Sequence, residues 1–218
     1  MKQLANKFLS ADARQRIEAA VKAAERETAG EIVCMVDSAS YRYPMANVLG
    51  GTVLALPPAL LLTPLVGGWL WIGTANMWLF LGLFGLAFTL FWFVIDRTAW
   101  LKRRFVSQRE IEEEVEEAAV THFFKYGLYR TRDATGILIF ISVFERKVWV
   151  LADHGINVKV PAGHWDAVVA DITAGIRENR AAEAICEAVA AVGATLKSHF
   201  PIKPDDTDEL QNVIIADD

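Results

Sequence analysis

The sequence predicts an α/β fold, with strands of a sheet covered by helices, into which a two-helix transmembrane hairpin is inserted. Residues 44–95 contain no Asp, Glu, Lys, Arg or His, which is typical of membrane-spanning segments. Short apolar runs at 31–37, 136–144 and 147–152 have the length of buried strands. Amphipathic helical patterns precede and follow these runs, as in layered α/β domains.

The charge-free stretch predicts two membrane spans joined by a short turn. At about 1.5 Å of rise per residue it could extend roughly 75 Å, about twice the ~30 Å hydrocarbon core once a turn is allowed for. We place the spans at 46–66 and 76–95, with the turn at 67–75 rich in tryptophan, as at a membrane interface. The alternative is a buried hairpin in a soluble protein, whose core helices rarely run this long without a charge.

Positive charges predict the orientation of the hairpin. The turn between the spans carries no positive charge. The positive charges near the hairpin lie before the first span and after the second: Arg42, Arg97, Lys102, Arg103 and Arg104. The positive-inside rule therefore places both termini and the soluble domain in the cytoplasm, on an inner (cytoplasmic) membrane crossed twice. The lipid bilayer is the first predicted partner, and the cluster around Lys102 suits anionic headgroups.

The remaining chain divides around the hairpin. Residues 1–43 form the first part of the domain: an amphipathic helix that starts after an N-cap at Ser10, then the strand 31–37, apolar on both faces. Residues 44–97 form the hairpin, and 98–203 form the rest of the domain. Residues 204–218 are predicted to be an acidic tail, extended or disordered, with a docking contact at 213–215.

After the hairpin, residues 98–126 are predicted to form one continuous helix. Its many glutamates are interpreted as a solvated face, and His122 as a packing residue. The strands 136–144 and 147–152 are separated only by Glu145 and Arg146, which predicts an antiparallel pair. Two further helices follow, marked by apolar residues around 165–176 and 185–196.

No standard catalytic signature is present, so the catalytic residues are unknown at this stage. A right-handed crossover would make the first two strands parallel, and this collects acidic residues at the sheet end farthest from the hairpin. Glu31, Asp133 and Asp153 are therefore predicted metal ligands for Ca²⁺ or Mg²⁺. The alternative is that each caps a strand or pairs with a nearby Arg or Lys. Further ligand or partner candidates are Arg132, Thr135, His154, Glu145 and Arg146.

The stretch 121–156, THFFKYGLYRTRDATGILIFISVFERKVWVLADHGI, carries a family resemblance. It resembles the TPM-domain family, formerly domain of unknown function 477, with the hairpin inserted after the first strand. The resemblance implies a three-layer α/β/α sandwich with a short mixed sheet, divalent-cation binding at acidic loop residues, and functions as varied as acid phosphatase activity and receptor-channel assembly. Bacterial relatives often accompany LemA-type membrane proteins, which makes such a protein a predicted partner.

Two functions are favoured. The first is a membrane-anchored interaction or assembly module, because Gly50, Gly51, Gly82 and Gly85 allow close packing with another membrane protein or a second copy. The second is a metal-dependent phosphatase that uses Asp133 and Asp153 on a cation. A transport or channel function is disfavoured by the charge-free spans. The net charge of −5 argues against a nucleic-acid binder.

Overall fold

The computed structural model describes residues 3–161, 163–202 and 210–216. The elements follow in this order: α1 Leu4–Phe8, α2 Ala11–Glu25, β1 Glu31–Asp37, α3 Pro44–Trp69, α4 Met77–Arg97, α5 Ala99–Arg103, α6 Gln108–Lys125, a 3₁₀ turn at Leu128–Arg130, β2 Gly136–Ser142, β3 Lys147–Ala152, α7 His154–Asn157, α8 Trp165–Arg177, α9 Ala181–His199 and β4 Val213–Ala216. They form two compact units: the hairpin unit, residues 42–111, and the sandwich unit, residues up to 41 and from 112 onward.

In the hairpin unit, α3 and α4 are both long and apolar enough to cross a membrane. They pack against each other through one stripe of side chains on each helix, and the members of each stripe lie four residues apart in the sequence. The α3 stripe is small and buried: Gly51, Ala55, Ala59 and Thr63. The α4 stripe is aromatic, with neighbouring ring centroids 5.7–6.1 Å apart: Phe80, Phe84, Phe88 and Trp92. A Cβ on Gly51 would lie only 3.0 Å from the Phe88 ring, so the small stripe lets the rings approach the α3 backbone.

A polar cluster joins the ends of the two long helices. Asn47 Nδ2 and Lys102 Nζ donate to the same oxygen of Asp96, at 3.0 and 3.2 Å. The Lys102 side chain is only 2% exposed, whereas that of Asp96 is 56% exposed. Lys102 is thus an internal cation that ties α5 to α4.

The sandwich unit is built on a sheet of strand order β3-β2-β1-β4. β1 pairs parallel with β2 and with β4, and β2 pairs antiparallel with β3, so the mixed sheet and the predicted parallel and antiparallel pairings are confirmed. One face forms the main core with α2, α8 and α9. On the opposite face, His122 of α6 packs on Phe140 of β2, with ring centroids 5.6 Å apart. The two β-branched-rich central strands are buried along their whole length, as a covered sheet requires.

One sequence prediction needs correction. The helix predicted over 98–126 is broken, because Ser107 Oγ accepts the amide of Glu110 at 3.1 Å and starts α6 as a new helix. The predicted tail contains β4, in which Val213 pairs with Cys34 of β1, so the docking contact predicted at 213–215 is confirmed. Of the rest of that tail, residues 210–212 are described, whereas residues 204–209 and 217–218 lie outside the described residues. After β3, Asp153 is the N-cap of α7.

Candidate functional site

Two of the three predicted metal ligands lie at one end of the sheet, here called the acidic edge. Glu31 begins β1 and lies in register with Gly136, which begins β2. On the other side of Gly136, the amide of Asp153 donates a hydrogen bond to the carbonyl oxygen of Gly136 at 2.8 Å. Glu31 and Asp153 therefore flank Gly136 on neighbouring strands.

The backbone of the 3₁₀ turn lies against Gly136 at the acidic edge. A Cβ on Gly136 would be 2.4 Å from the carbonyl oxygen of Leu128, so the two backbones touch. Within residues 3–161, 163–202 and 210–216, no group of three His, Cys, Asp or Glu side chains is placed to hold a metal ion. Cation binding by three side chains at the acidic edge stays a prediction. Backbone carbonyl oxygens are also ligands of Ca²⁺, so the carbonyl groups of the loops are considered next.

The loops that carry Asp133 and Asp153 meet at Gly155. A Cβ there would lie 2.6 Å from the carbonyl oxygen of Ala134 and 2.7 Å from that of Asp133, so only glycine allows this approach. Asp153 Oδ1 accepts the amide of His154 at 2.6 Å. Its Oδ2 is buried and has no hydrogen-bond partner in the described part of the chain. An orphaned buried carboxylate oxygen beside two loop carbonyls has the donor chemistry of a hard-cation site.

The other candidates at the acidic edge have different surroundings. Thr135 is buried, and its hydroxyl donates to the carbonyl of Ala29 at 2.9 Å, which makes it a structural residue. His154 is exposed at the start of α7. Arg132 is exposed and already has an interaction partner within the chain.

A second polar group occupies the opposite end of the sheet, where the chain leaves β1 for the hairpin. This exit cluster consists of Asp37, Ser40, His122, Ser142 and Glu145. Glu145 is fully buried; its carboxylate accepts the Ser142 hydroxyl and, at 3.0 Å, the Ser40 amide. Asp37 lies in register with Ser142 and contacts His122, with Oδ2 and Nε2 3.3 Å apart.

His122 combines packing with pairing. Its ring lies between those of Tyr126 and Phe140, with centroids 5.9 and 5.6 Å away. The sequence predicted the packing but not the contact with Asp37. The signal available in sequence was that two apolar strands, β1 and β2, each end on a polar residue, Asp37 and Ser142; parallel register aligns those residues.

The exit cluster holds the linker toward α3 against the β2–β3 turn at 143–146. The amides of Val143 and Phe144 donate to the carbonyls of Asp37 and Ser38 at 2.9 and 3.1 Å. Arg146 is exposed in this turn, at the opposite end of β3 from Asp153. Arg146 therefore cannot serve a site at the acidic edge. Because Ser142 is fully buried, the cluster is a structural latch rather than an accessible nucleophile.

Neither cysteine is an activated nucleophile. Cys34 is 2% exposed in β1, and burial raises the pKa of its thiol. Burial also raises the pKa of the Cys186 thiol in α9. A thiol whose pKa is raised stays protonated near neutral pH, so it is a poor nucleophile.

Comparison with known proteins identifies the domain. Residues 101–195 match the model of a family described as the TPM domain. Over these residues the chain is similar to the TPM domain. The match begins in α5 and ends in α9, so it includes Asp133, Glu145 and Asp153 and confirms the resemblance found in the sequence.

A solved structure shares the fold of this chain. The NMR structure of the BA42 protein from the psychrophilic bacterium Bizionia argentinensis is similar at a TM-score of 0.58 and 19% sequence identity, covering 96% of this chain and 95% of that one. At this identity the likeness supports the α/β fold alone. No curated protein matches the chain.

Proposed function

We propose that this protein is a membrane-anchored interaction module, held in the cytoplasmic membrane by α3 and α4 with its TPM domain in the cytoplasm. The observation that carries the proposal is the apolar hairpin inserted in the chain between β1 and α6. Large apolar side chains along α4 are exposed in the isolated chain, with Leu86 71% and Leu90 61% exposed. Lipid is the solvent that removes this surface from water.

The glycines of the hairpin indicate which helix meets a partner. A Cβ on Gly50 would lie 2.6 Å from Ile95, and Gly51 faces Phe88, so both positions are used inside the hairpin. Gly82 and Gly85 of α4 have nothing within 4 Å of their Cβ positions. This open face supports close approach by a helix of another membrane protein, a LemA-type protein for example, or of a second copy.

Purification from the native membrane in mild detergent tests the proposal. We expect the wild-type chain to retain a membrane protein or to form an oligomer. Replacing both Gly82 and Gly85 by leucine should weaken that association at least tenfold, about 1.4 kcal/mol, because the backbones can no longer approach. The matched control exchanges apolar residues on a neighbouring exposed face, Leu90→Val with Val94→Leu, and should retain the partner. A wild-type chain that purifies as a monomer without partners contradicts the proposal.

A second proposal is divalent-cation binding at the acidic edge. Support comes from the buried Oδ2 of Asp153, which lacks a hydrogen-bond partner in the described chain, and from the carbonyls of Asp133 and Ala134 at Gly155. Carboxylate and carbonyl oxygens are the ligands that Ca²⁺ prefers, and Mg²⁺ accepts them together with water. A bound cation would hold the two loops together and regulate the surface presented to a partner.

Calorimetric titration of the full chain in detergent with Ca²⁺ and Mg²⁺ tests cation binding. Replacing Asp133 and Asp153 by asparagine should weaken binding at least tenfold, because the amide removes the charge that attracts the ion. The control is Asp12→Asn with Asp171→Asn, which removes the same charge from exposed helix positions. Equal heats from both double variants, or no heat from the wild type, would rule out this site.

The same variants test the phosphatase alternative. Arg132 directly precedes Asp133, one of the two proposed cation ligands, in the sequence. Metal ions and arginine are the groups that stabilise a transferring phosphoryl group. If the alternative holds, hydrolysis of a phosphate monoester should require the cation and be lost in the Asp133→Asn/Asp153→Asn variant. Activity that survives this change would eliminate this mechanism.

A further inference from the structure

We propose that the segment after α4 binds the headgroups of anionic phospholipids through Arg97, Trp100 and Arg104, here called the arginine collar. This inference rests on the proposed membrane anchoring. It deepens that proposal by naming a lipid class and the residues that recognise it. The ligand is a phosphodiester with net negative charge, such as phosphatidylglycerol, and not free phosphate.

The backbone turns sharply at this point of the hairpin unit. α4 ends at Arg97, Thr98 adopts an extended conformation, and α5 begins at Ala99. The Arg97 guanidinium lies over the Phe93 ring, 4.0 Å from its centroid, so its charge is held beside the last turn of the apolar helix. Trp100 is 66% exposed in α5. An exposed tryptophan beside a helix end is typical of the membrane–water interface.

Burial divides the positive charges of this segment into two kinds. Lys102 is buried and bonded to Asp96, so it is not available to a headgroup. Arg103 is half-buried and has its own partner within the chain. Arg97 and Arg104 are exposed. The outward charge of the collar therefore comes from two guanidinium groups, which can each donate two hydrogen bonds to one phosphate.

This arrangement favours anionic over zwitterionic lipid. Each arginine close to a negatively charged leaflet contributes about a fivefold gain in affinity, so two arginines predict a preference of roughly 25-fold. The exposed part of Asp96 bears a negative charge near the collar, but Lys102 and Asn47 already bond to it. The preference should decline as salt is raised, because exposed charges are screened.

The test measures lipid binding to the full chain in nonionic detergent, with fluorescently labelled phosphatidylglycerol and, separately, identically labelled phosphatidylcholine. We expect the wild type to prefer phosphatidylglycerol at least tenfold. The Arg97→Gln/Arg104→Gln variant should lose this preference. The control Arg26→Gln/Arg177→Gln removes the same charge from two exposed positions, the residue after α2 and the last residue of α8. This control should keep the preference for phosphatidylglycerol. Trp100→Ala should weaken binding of both lipids.

Three outcomes would overturn the inference: equal affinity for the two lipids, an unchanged preference in Arg97→Gln/Arg104→Gln, or displacement of the lipid by millimolar inorganic phosphate. Alkaline carbonate extraction of native membranes separates this failure from failure of anchoring. A protein that stays in the membrane pellet but shows no lipid preference overturns the collar alone. A protein released by carbonate overturns both proposals.

Discussion

Replacing Glu145 by alanine should lower the free energy of unfolding by about 3 kcal/mol, because each donor left without its acceptor costs roughly 1–3 kcal/mol. Its fully buried carboxylate accepts the Ser142 hydroxyl and the Ser40 amide. Alanine leaves these two donors, of which the Ser142 hydroxyl is buried and the Ser40 amide half-buried, without an acceptor and opens a cavity. Chemical denaturation of the full chain in detergent, followed by the fluorescence of Trp149 and Trp165, measures the loss.

Two further variants separate the latch from a general charge effect. Glu112 also bears a carboxylate, but it is 60% exposed and pairs with Lys147 at 2.9 Å, so Glu112→Ala should cost about 0.5 kcal/mol or less. Glu145→Gln keeps the shape and one acceptor, and should fall between the two. Hydrogen exchange at the Ser40 amide should accelerate in Glu145→Ala. If Glu145→Ala is as stable as Glu112→Ala, the latch does not hold the linker.

Replacing Gly136 by alanine should lower the free energy of unfolding by about 2–3 kcal/mol, the upper part of the range for overpacked cores. The new Cβ would lie 2.4 Å from the carbonyl oxygen of Leu128. Both backbones are buried, so neither can move aside without breaking the β1–β2 pairing or the 3₁₀ turn. The Asp153 amide bonds to Gly136, and a shift there should therefore weaken any cation binding as well.

Gly30→Ala is the matched comparison for Gly136→Ala. Its Cβ would meet the end of the Leu196 side chain at 2.8 Å, and a flexible side chain can change rotamer. We expect a loss of about 1 kcal/mol or less for Gly30→Ala. Urea denaturation of both variants under one set of conditions measures the difference. Equal midpoints would show that the Leu128 backbone yields as easily as the Leu196 side chain.

The sequence by itself determined the features that depend on local pattern. Uninterrupted apolarity over 44–95 is sufficient to predict two long helices, and the short Glu145-Arg146 connection is sufficient to predict an antiparallel pair. The parallel order of β1 and β2 followed from crossover handedness, and it correctly placed Glu31 and Asp153 at one end of the sheet. Apolarity and loop length can be read from neighbouring residues, and a general rule of chain topology supplies the strand order.

Only the tertiary structure decided which distant polar residues meet. β4 has four residues beside an acidic stretch, and its strand character comes from pairing with β1 rather than from its own pattern. The exit cluster depends on a register that aligns Asp37 with Ser142 across more than a hundred residues of chain. Burial of Lys102 against Asp96 likewise separates it from Arg97 and Arg104. Burial and register are properties of two segments brought together, so composition and periodicity along one segment do not contain them.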